Sequence, residues 1–147
     1  MEIPETLQQN AGYLLNRTAR IIRERISEAL APLKLAPRDV GTLRLLSDEG
    51  PMSQLALGSR HNIDRTTVVA VIDALERREL VVRVTNPKDR RSHLIHLTPR
   101  GRKTLAQAAK IVQTEQEKFL APLGVGEWEQ VRQALLKLLA AQDKIPT

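Results

Sequence analysis

Between Asp64 and Leu97 the apolar pattern changes period once, and that change restricts the fold more than any other feature of the chain. Val68, Val71, Ile72 and Leu75 stand at i, i+3, i+4 and i+7, which is one buried stripe of a helix. Asp64 is placed to cap that helix, its carboxylate accepting the amide of Thr66 or Thr67. From Leu80 to Thr85 the chain becomes valine-rich and reads as a strand, Asn86-Pro87-Lys88-Asp89 as a turn, and Leu94-Ile95-His96-Leu97 as a returning strand.

Helices surround this hairpin. Leu7, Leu14, Ile21, Ile22, Ile26 and Leu30 recur at helical spacing, and no proline interrupts Thr6 to Leu30, so one long helix is predicted there, ended by Pro32. Pro37 suits the first turn of a second helix, which runs through Val40, Leu43 and Leu46 to the turn Asp48-Glu49-Gly50-Pro51. Ser53 can cap a short third helix around Leu55 and Leu57. Asp64 starts the fourth, and Thr98-Pro99 opens a fifth that runs to about Leu120. Beyond Pro122 and Gly124, Glu127 and Glu129 favour the start of a sixth, in which Trp128, Val131, Leu135 and Leu138 repeat at threes and fours. The expected fold is mainly α (α+β). A length of 147 residues fits one domain with a real core.

Charge points to a partner. Arg60 to Lys103 holds eleven Lys/Arg and five acids, so the whole net charge of +6 lies there and the flanking arms are neutral. A phosphate backbone is the natural partner for such a segment, because neutralising phosphates releases condensed counterions; a solvated basic face is the plain alternative. A membrane surface fits less well, since no basic amphipathic helix with bulky aromatics is present and no apolar run reaches transmembrane length. The acidic start, Met1 to Glu5, lacks the apolar core of a signal peptide, so a cytoplasmic protein is expected. The absence of cysteine excludes disulfides, thiol catalysis and cysteine-ligated zinc.

Two short helices, the second with a polar start, followed by a basic hairpin describe a winged helix-turn-helix. Leu43-Arg44-Leu45-Leu46, Ile63-Asp64-Arg65-Thr66-Thr67-Val68, Ile72-Asp73-Ala74-Leu75-Glu76 and Val81-Val82-Arg83 carry a family pattern. So, more specifically, does Asn86-Pro87-Lys88-Asp89-Arg90-Arg91 followed by Leu97-Thr98-Pro99-Arg100-Gly101. On these residues the chain resembles, over essentially its whole length, the multiple-antibiotic-resistance regulator (MarR) family of bacterial and archaeal transcription factors. The resemblance implies one domain over 1–147, with the winged helix-turn-helix at 36–98 and dimerisation helices at 5–33 and 99–144. It departs from the family at Lys34 and Glu79, where glycine is usual, and at Gly58, where alanine is. Ala70 and Ala74 stand where many members carry arginine or another long polar residue, so no known operator transfers.

On a helical wheel the fourth helix turns Thr66, Val69, Ala70, Asp73 and Arg77 outward. A helix in the major groove reads bases from its N-terminal half, which selects Thr66, Val69 and Ala70, with Arg65 and Thr67 at the edges. Val69 and Ala70 offer only apolar contact, which suits thymine methyl groups; equally, they are small residues that avoid a clash. Ser53 and His61 are either phosphate contacts or an ordinary cap and loop residue. Lys88, Arg90 and Arg91 crowd the hairpin tip, and strand alternation sends the two arginines to opposite faces. The resemblance assigns Arg90 to the minor groove and turns Arg91 inward to pair with Asp73.

His93 and His96 sit three apart on a strand and so face opposite ways, which argues against a shared metal ion. No nucleophile–base pair, glycine-rich phosphate loop or paired carboxylates mark an enzyme, and no cofactor is implied. The expected function is that of a sequence-specific regulator, usually a repressor, that binds double-stranded DNA as a homodimer on a palindromic operator. An architectural DNA-binding protein of low sequence preference is the alternative, and a winged helix used only for protein contact fits the charge segregation poorly. Family members commonly bind an effector near the dimerisation helices. Tyr13, Arg17 and Arg20 share a helix face there, suited to a small aromatic or phenolic anion.

Overall fold

Asn10 decides where the first long helix begins. In the computed structural model, which describes residues 2–142, the N-terminal segment is two helices, α1 (Glu5–Gln8) and α2 (Ala11–Leu30), rather than the continuous helix its apolar spacing predicts. The backbone of Asn10 is extended, and its Oδ1 accepts the Tyr13 amide at 2.8 Å. Asparagine serves a helix start better than a helix interior, because its side chain satisfies an amide that has no intrahelical partner. After α2 a 3₁₀ turn, Ala31–Leu33, contains Pro32 and ends on Lys34 in the left-handed region, with φ of 53°.

The next three helices follow the expected punctuation. α3 (Pro37–Glu49) starts at proline and ends at Gly50. α4 (Gln54–His61) is capped by Ser53, whose Oγ accepts the Ala56 amide at 3.1 Å. Asn62, at φ of 52°, then turns the chain into α5 (Arg65–Arg77). Asp64 caps α5 through Oδ1 on the Thr67 amide and Oδ2 on the Thr67 hydroxyl, both at 2.8 Å. Val68, Ile72 and Leu75 are buried as the stripe requires, whereas Val71 is only half-buried at its edge.

β1 (Val81–Asn86) and β2 (Asp89–Leu97) form one antiparallel pair. Its register runs regularly from Val81 opposite Leu97 to Thr85 opposite His93 and then breaks, so that Asn86 faces Asp89. Arg90, Arg91 and Ser92 therefore bulge out of the ladder, and the returning strand is longer than its apolar run suggested. Val81 and Ile95 are buried on the inner face, and Ile95 exchanges backbone bonds with Met52 just before α4. The hairpin thereby closes onto a core of Leu30, Leu43, Leu46, Leu57, Ile72, Leu75 and Leu80.

α6 (Pro99–Leu120) begins where Thr98 Oγ1 accepts the Gly101 amide at 2.9 Å, and it contributes Leu105 and Ala108 to the same core. The chain divides between Glu115 and Gln116 into two compact units. The second holds the end of α6 and α7 (Glu127–Gln142), in which no residue is buried. Trp128, Val131, Leu136, Leu138 and Leu139 are exposed there. Residues 143 and 144, the end of the segment expected to dimerise, lie outside the described residues. No helix among the described residues is long and apolar enough to cross a membrane.

Candidate nucleic-acid interface

Arg83 holds the β1–β2 hairpin, the wing, against α5, the helix expected to serve as recognition helix. Alternation along β1 puts it on the same face as buried Val81, which aims a guanidinium at α5 instead of at solvent. There Asp73 and Glu76, one helical turn apart, receive it: Nη2 lies 2.6 Å from Asp73 Oδ1 and Nη1 2.7 Å from Glu76 Oε1. Gln54 Oε1 at the start of α4 accepts Nε at 3.1 Å and Nη2 at 2.9 Å, and Glu76 Oε2 accepts the Arg83 amide at 3.2 Å. Partial burial disfavours the charged guanidinium, but the bonds it donates to Asp73 and Glu76, with their negative charges, outweigh that and hold its pKa above the ordinary arginine value.

This corrects the pairing expected at Asp73. Its partner is Arg83, and Arg91 is exposed, as is Arg90. Alternation would send Arg90 and Arg91 to opposite faces only along a regular strand, and the register break at Thr85/Asn86 removes both from the ladder. The tip is shaped instead by backbone capture. Asp89 Oδ1 accepts the Arg91 amide and Asn86 Oδ1 the Lys88 amide, each at 3.0 Å. Lys88, Arg90 and Arg91 carry no ion pair among the described residues, so three cations cluster at an exposed tip. Sequence reasoning passed over Arg83 as a site residue. The readable signal was an arginine in phase with Val81, facing acids three apart on the preceding helix.

The other expected residues fall as follows. Arg65, Thr66 and Ala70 are exposed on α5, and Val69 and Thr67 are half-buried. Thr67 spends its hydroxyl proton on Asp64, so it supports the helix start. The Thr67 amide, then its hydroxyl, pull the Asp64 carboxyl below the ordinary range, with a smaller contribution from Arg38. Ser53 is a cap, half-buried. His61 packs on α3: a Cβ on Gly41 would come within 2.6 Å of its ring, and Nδ1 lies 3.4 Å from Thr42 Oγ1. Burial and then the Arg38 charge lower its pKa. A cleft of about 680 Å³ between α4 and the start of α5 is lined by Leu55, Ser59, Asn62, Asp64 and Arg65.

Tyr13, Asn16, Arg17 and Arg20 line a shallow depression of about 260 Å³ on α2. Arg17 Nη1 donates to the Tyr13 hydroxyl at 2.5 Å, with its guanidinium 5.8 Å from the ring centre, and Arg20 Nε lies 4.0 Å from Glu24. His93 and His96 pair with Thr85 and Val82 on opposite faces of the hairpin, and no cluster of metal-ligating residues exists among the described residues. Lys34 and Glu79, where glycine was expected from the resemblance, both adopt left-handed backbone, at φ of 53° and 59°.

Comparison with known proteins gives a match to the MarR family model over residues 35–93. A protein of Thauera aromatica, provisionally named for transcriptional regulation of the hcr operon, is 35% identical over 74% of this chain and 65% of its own length. The transcriptional repressor CouR, solved bound to a 23-mer DNA duplex, is 35% identical, with 98% of this chain and 99% of that chain covered and a TM-score of 0.83. BpsR of Bordetella bronchiseptica, solved in a study of how 6-hydroxynicotinic acid regulates its DNA binding, is 26% identical, with 98% and 100% covered and a TM-score of 0.81.

Proposed function

This chain belongs to the MarR family of winged-helix transcription regulators, and from that premise we propose that it is a repressor that binds a palindromic operator as a homodimer and is released by a small aromatic or phenolic anion. The observation that carries the DNA-binding part is Arg83. By joining α4, α5 and β1 through Gln54, Asp73 and Glu76, it makes the recognition helix and wing one pre-formed surface. Binding then orders little, so less of the contact energy is lost to entropy. Thr66, Val69 and Ala70 with Arg65 serve base reading in the major groove, Arg90 the minor groove, and Lys88 and Arg91 the phosphates.

Two-fold pairing is supported by the exposed apolar residues of α7, which water would otherwise cover. The recognition helices of such a dimer stand about 34 Å apart, one turn of DNA. For the effector, Tyr13 offers a ring face and Arg17 a guanidinium beside it, which a carboxylate would draw from the tyrosine hydroxyl. The same kind of acid regulates DNA binding of BpsR.

Selection of duplexes from a random pool, followed by footprinting and sedimentation, tests this. An inverted repeat protected by a dimer is expected. Equal affinity for scrambled duplexes would favour the architectural alternative, and a folded monomer at micromolar concentration would refute the dimer. Titrating the complex with aromatic acids should release DNA from wild type but not from Arg17→Ala/Arg20→Ala.

A further inference from the structure

Three residues, Arg78, Glu79 and Leu80, link the recognition helix to the wing, and the chain is held there from two directions. Arg78 reaches back to the end of α2: Nη1 donates to the Lys34 carbonyl at 2.7 Å and Nη2 to the Leu33 carbonyl at 2.8 Å. Those carbonyls close the turn that ends α2, where no helical amide follows to receive them. A fork of charge-assisted bonds therefore ties the residue that follows α5 to the turn that follows α2. From the other side, Thr98 at the head of α6 donates its hydroxyl to the Glu79 carbonyl at 2.7 Å and its amide to the Leu80 carbonyl at 3.1 Å. Gly101 lies so close that a Cβ on it would sit 2.1 Å from the Leu80 oxygen.

We propose that Arg78 is a positioning residue for DNA recognition: its fork fixes the angle of α5 to α2, at a tripeptide that α6 clamps in turn. A displacement of either long helix then moves recognition helix and wing together, which gives an event on α2 a mechanical route to the DNA-reading surface. Arg78 acts from the end of α5 opposite Thr66 and needs no contact with DNA. The inference rests on the proposed function, in which α5 and the wing meet the duplex.

The test uses the full chain and a duplex selected by wild type. Failure of wild type to select any duplex would overturn the proposed function, and this inference with it. Arg78→Met keeps the aliphatic stem, and Arg78→Lys keeps charge while reaching one carbonyl. Both are expected to stay folded by circular dichroism. Kd should rise about tenfold for Arg78→Met and less for Arg78→Lys, as residues that couple sites without touching ligand do. The slope of log Kd against log salt should stay at the wild-type value. Unchanged Kd beside a lowered melting temperature would make Arg78 merely structural and overturn the proposal. A slope shallower by about one would overturn it too, by making Arg78 a phosphate contact. If Arg78→Met does not fold, Arg78→Lys decides on the same two measurements.

Discussion

Substituting Arg83 tests whether the wing is held as described. Arg83→Met removes contacts to three side chains, those of Gln54, Asp73 and Glu76, while keeping a flexible apolar side chain at the position. The guanidinium side chain is 23% exposed, and Asp73 and Glu76 are 45% and 39% exposed, so solvent screens each pair and the value of a buried bridge does not apply. Contacts of 2.6 and 2.7 Å with good donors still place each pair near the upper end of the surface range, about 1 kcal/mol. Loss of the neutral Gln54 bonds adds a few tenths, and the freed carboxylates repel weakly one turn apart. Arg83→Met should therefore cost about 2 kcal/mol in urea unfolding, with an unchanged m-value. A double-mutant cycle then apportions it. Asp73→Asn with Arg83→Met should show about 1 kcal/mol of coupling, and Asp73→Asn with Arg91→Met none beyond error. Coupling to Arg91, with none to Arg83, would refute the network. DNA affinity of Arg83→Met should fall by more than its stability loss explains, because the wing would then be ordered only on binding.

Gly101→Ala should destabilise by about 2 kcal/mol or more: alanine gains about 1 kcal/mol in helix propensity, but overpacking against the immobile Leu80 oxygen costs about 3, and an unchanged urea midpoint would refute the close approach. Lys34→Gly should stabilise by about 0.5 kcal/mol, since relief of left-handed strain exceeds the added chain entropy, and any loss of stability would count against that backbone. His61 has a folded pKa lowered by burial and Arg38, so the unfolded chain takes the proton more readily. The contribution of His61 to stability is thus present above its ordinary pKa of 6.5 and is lost as pH falls below it, so the urea midpoint of His61→Gln should fall less than that of wild type between about pH 7.5 and 5.5. Arg90→Ala should weaken DNA binding with a shallower salt slope, whereas Val69 substitutions should change base preference at nearly constant slope; identical behaviour on cognate and scrambled DNA would refute that division.

What the sequence determined about this protein is local or periodic. Ser53 and Asp64 as caps, the Val68/Ile72/Leu75 stripe, the Pro37 and Pro99 helix starts and the valine-rich hairpin need only neighbours within a turn, so residue order specifies them. The motif across Asn86 to Gly101 added the family, but that Lys34 and Glu79, standing where glycine is usual, keep a left-handed backbone was decided only by the folded chain. Tertiary structure decided the partners. Whether Asp73 meets Arg83 or Arg91 turns on strand register, and the three-residue bulge at the tip withdraws Arg91. Asn10 could have continued the first helix or restarted it, and the choice fell to a restart. Arg78 finds carbonyls more than forty residues away, a contact that exists only after α2, α3 and α5 have packed. The physical reason is range. Caps and stripes are fixed by covalent spacing, whereas a long charged side chain has many reachable partners, and only the packed backbone selects among them.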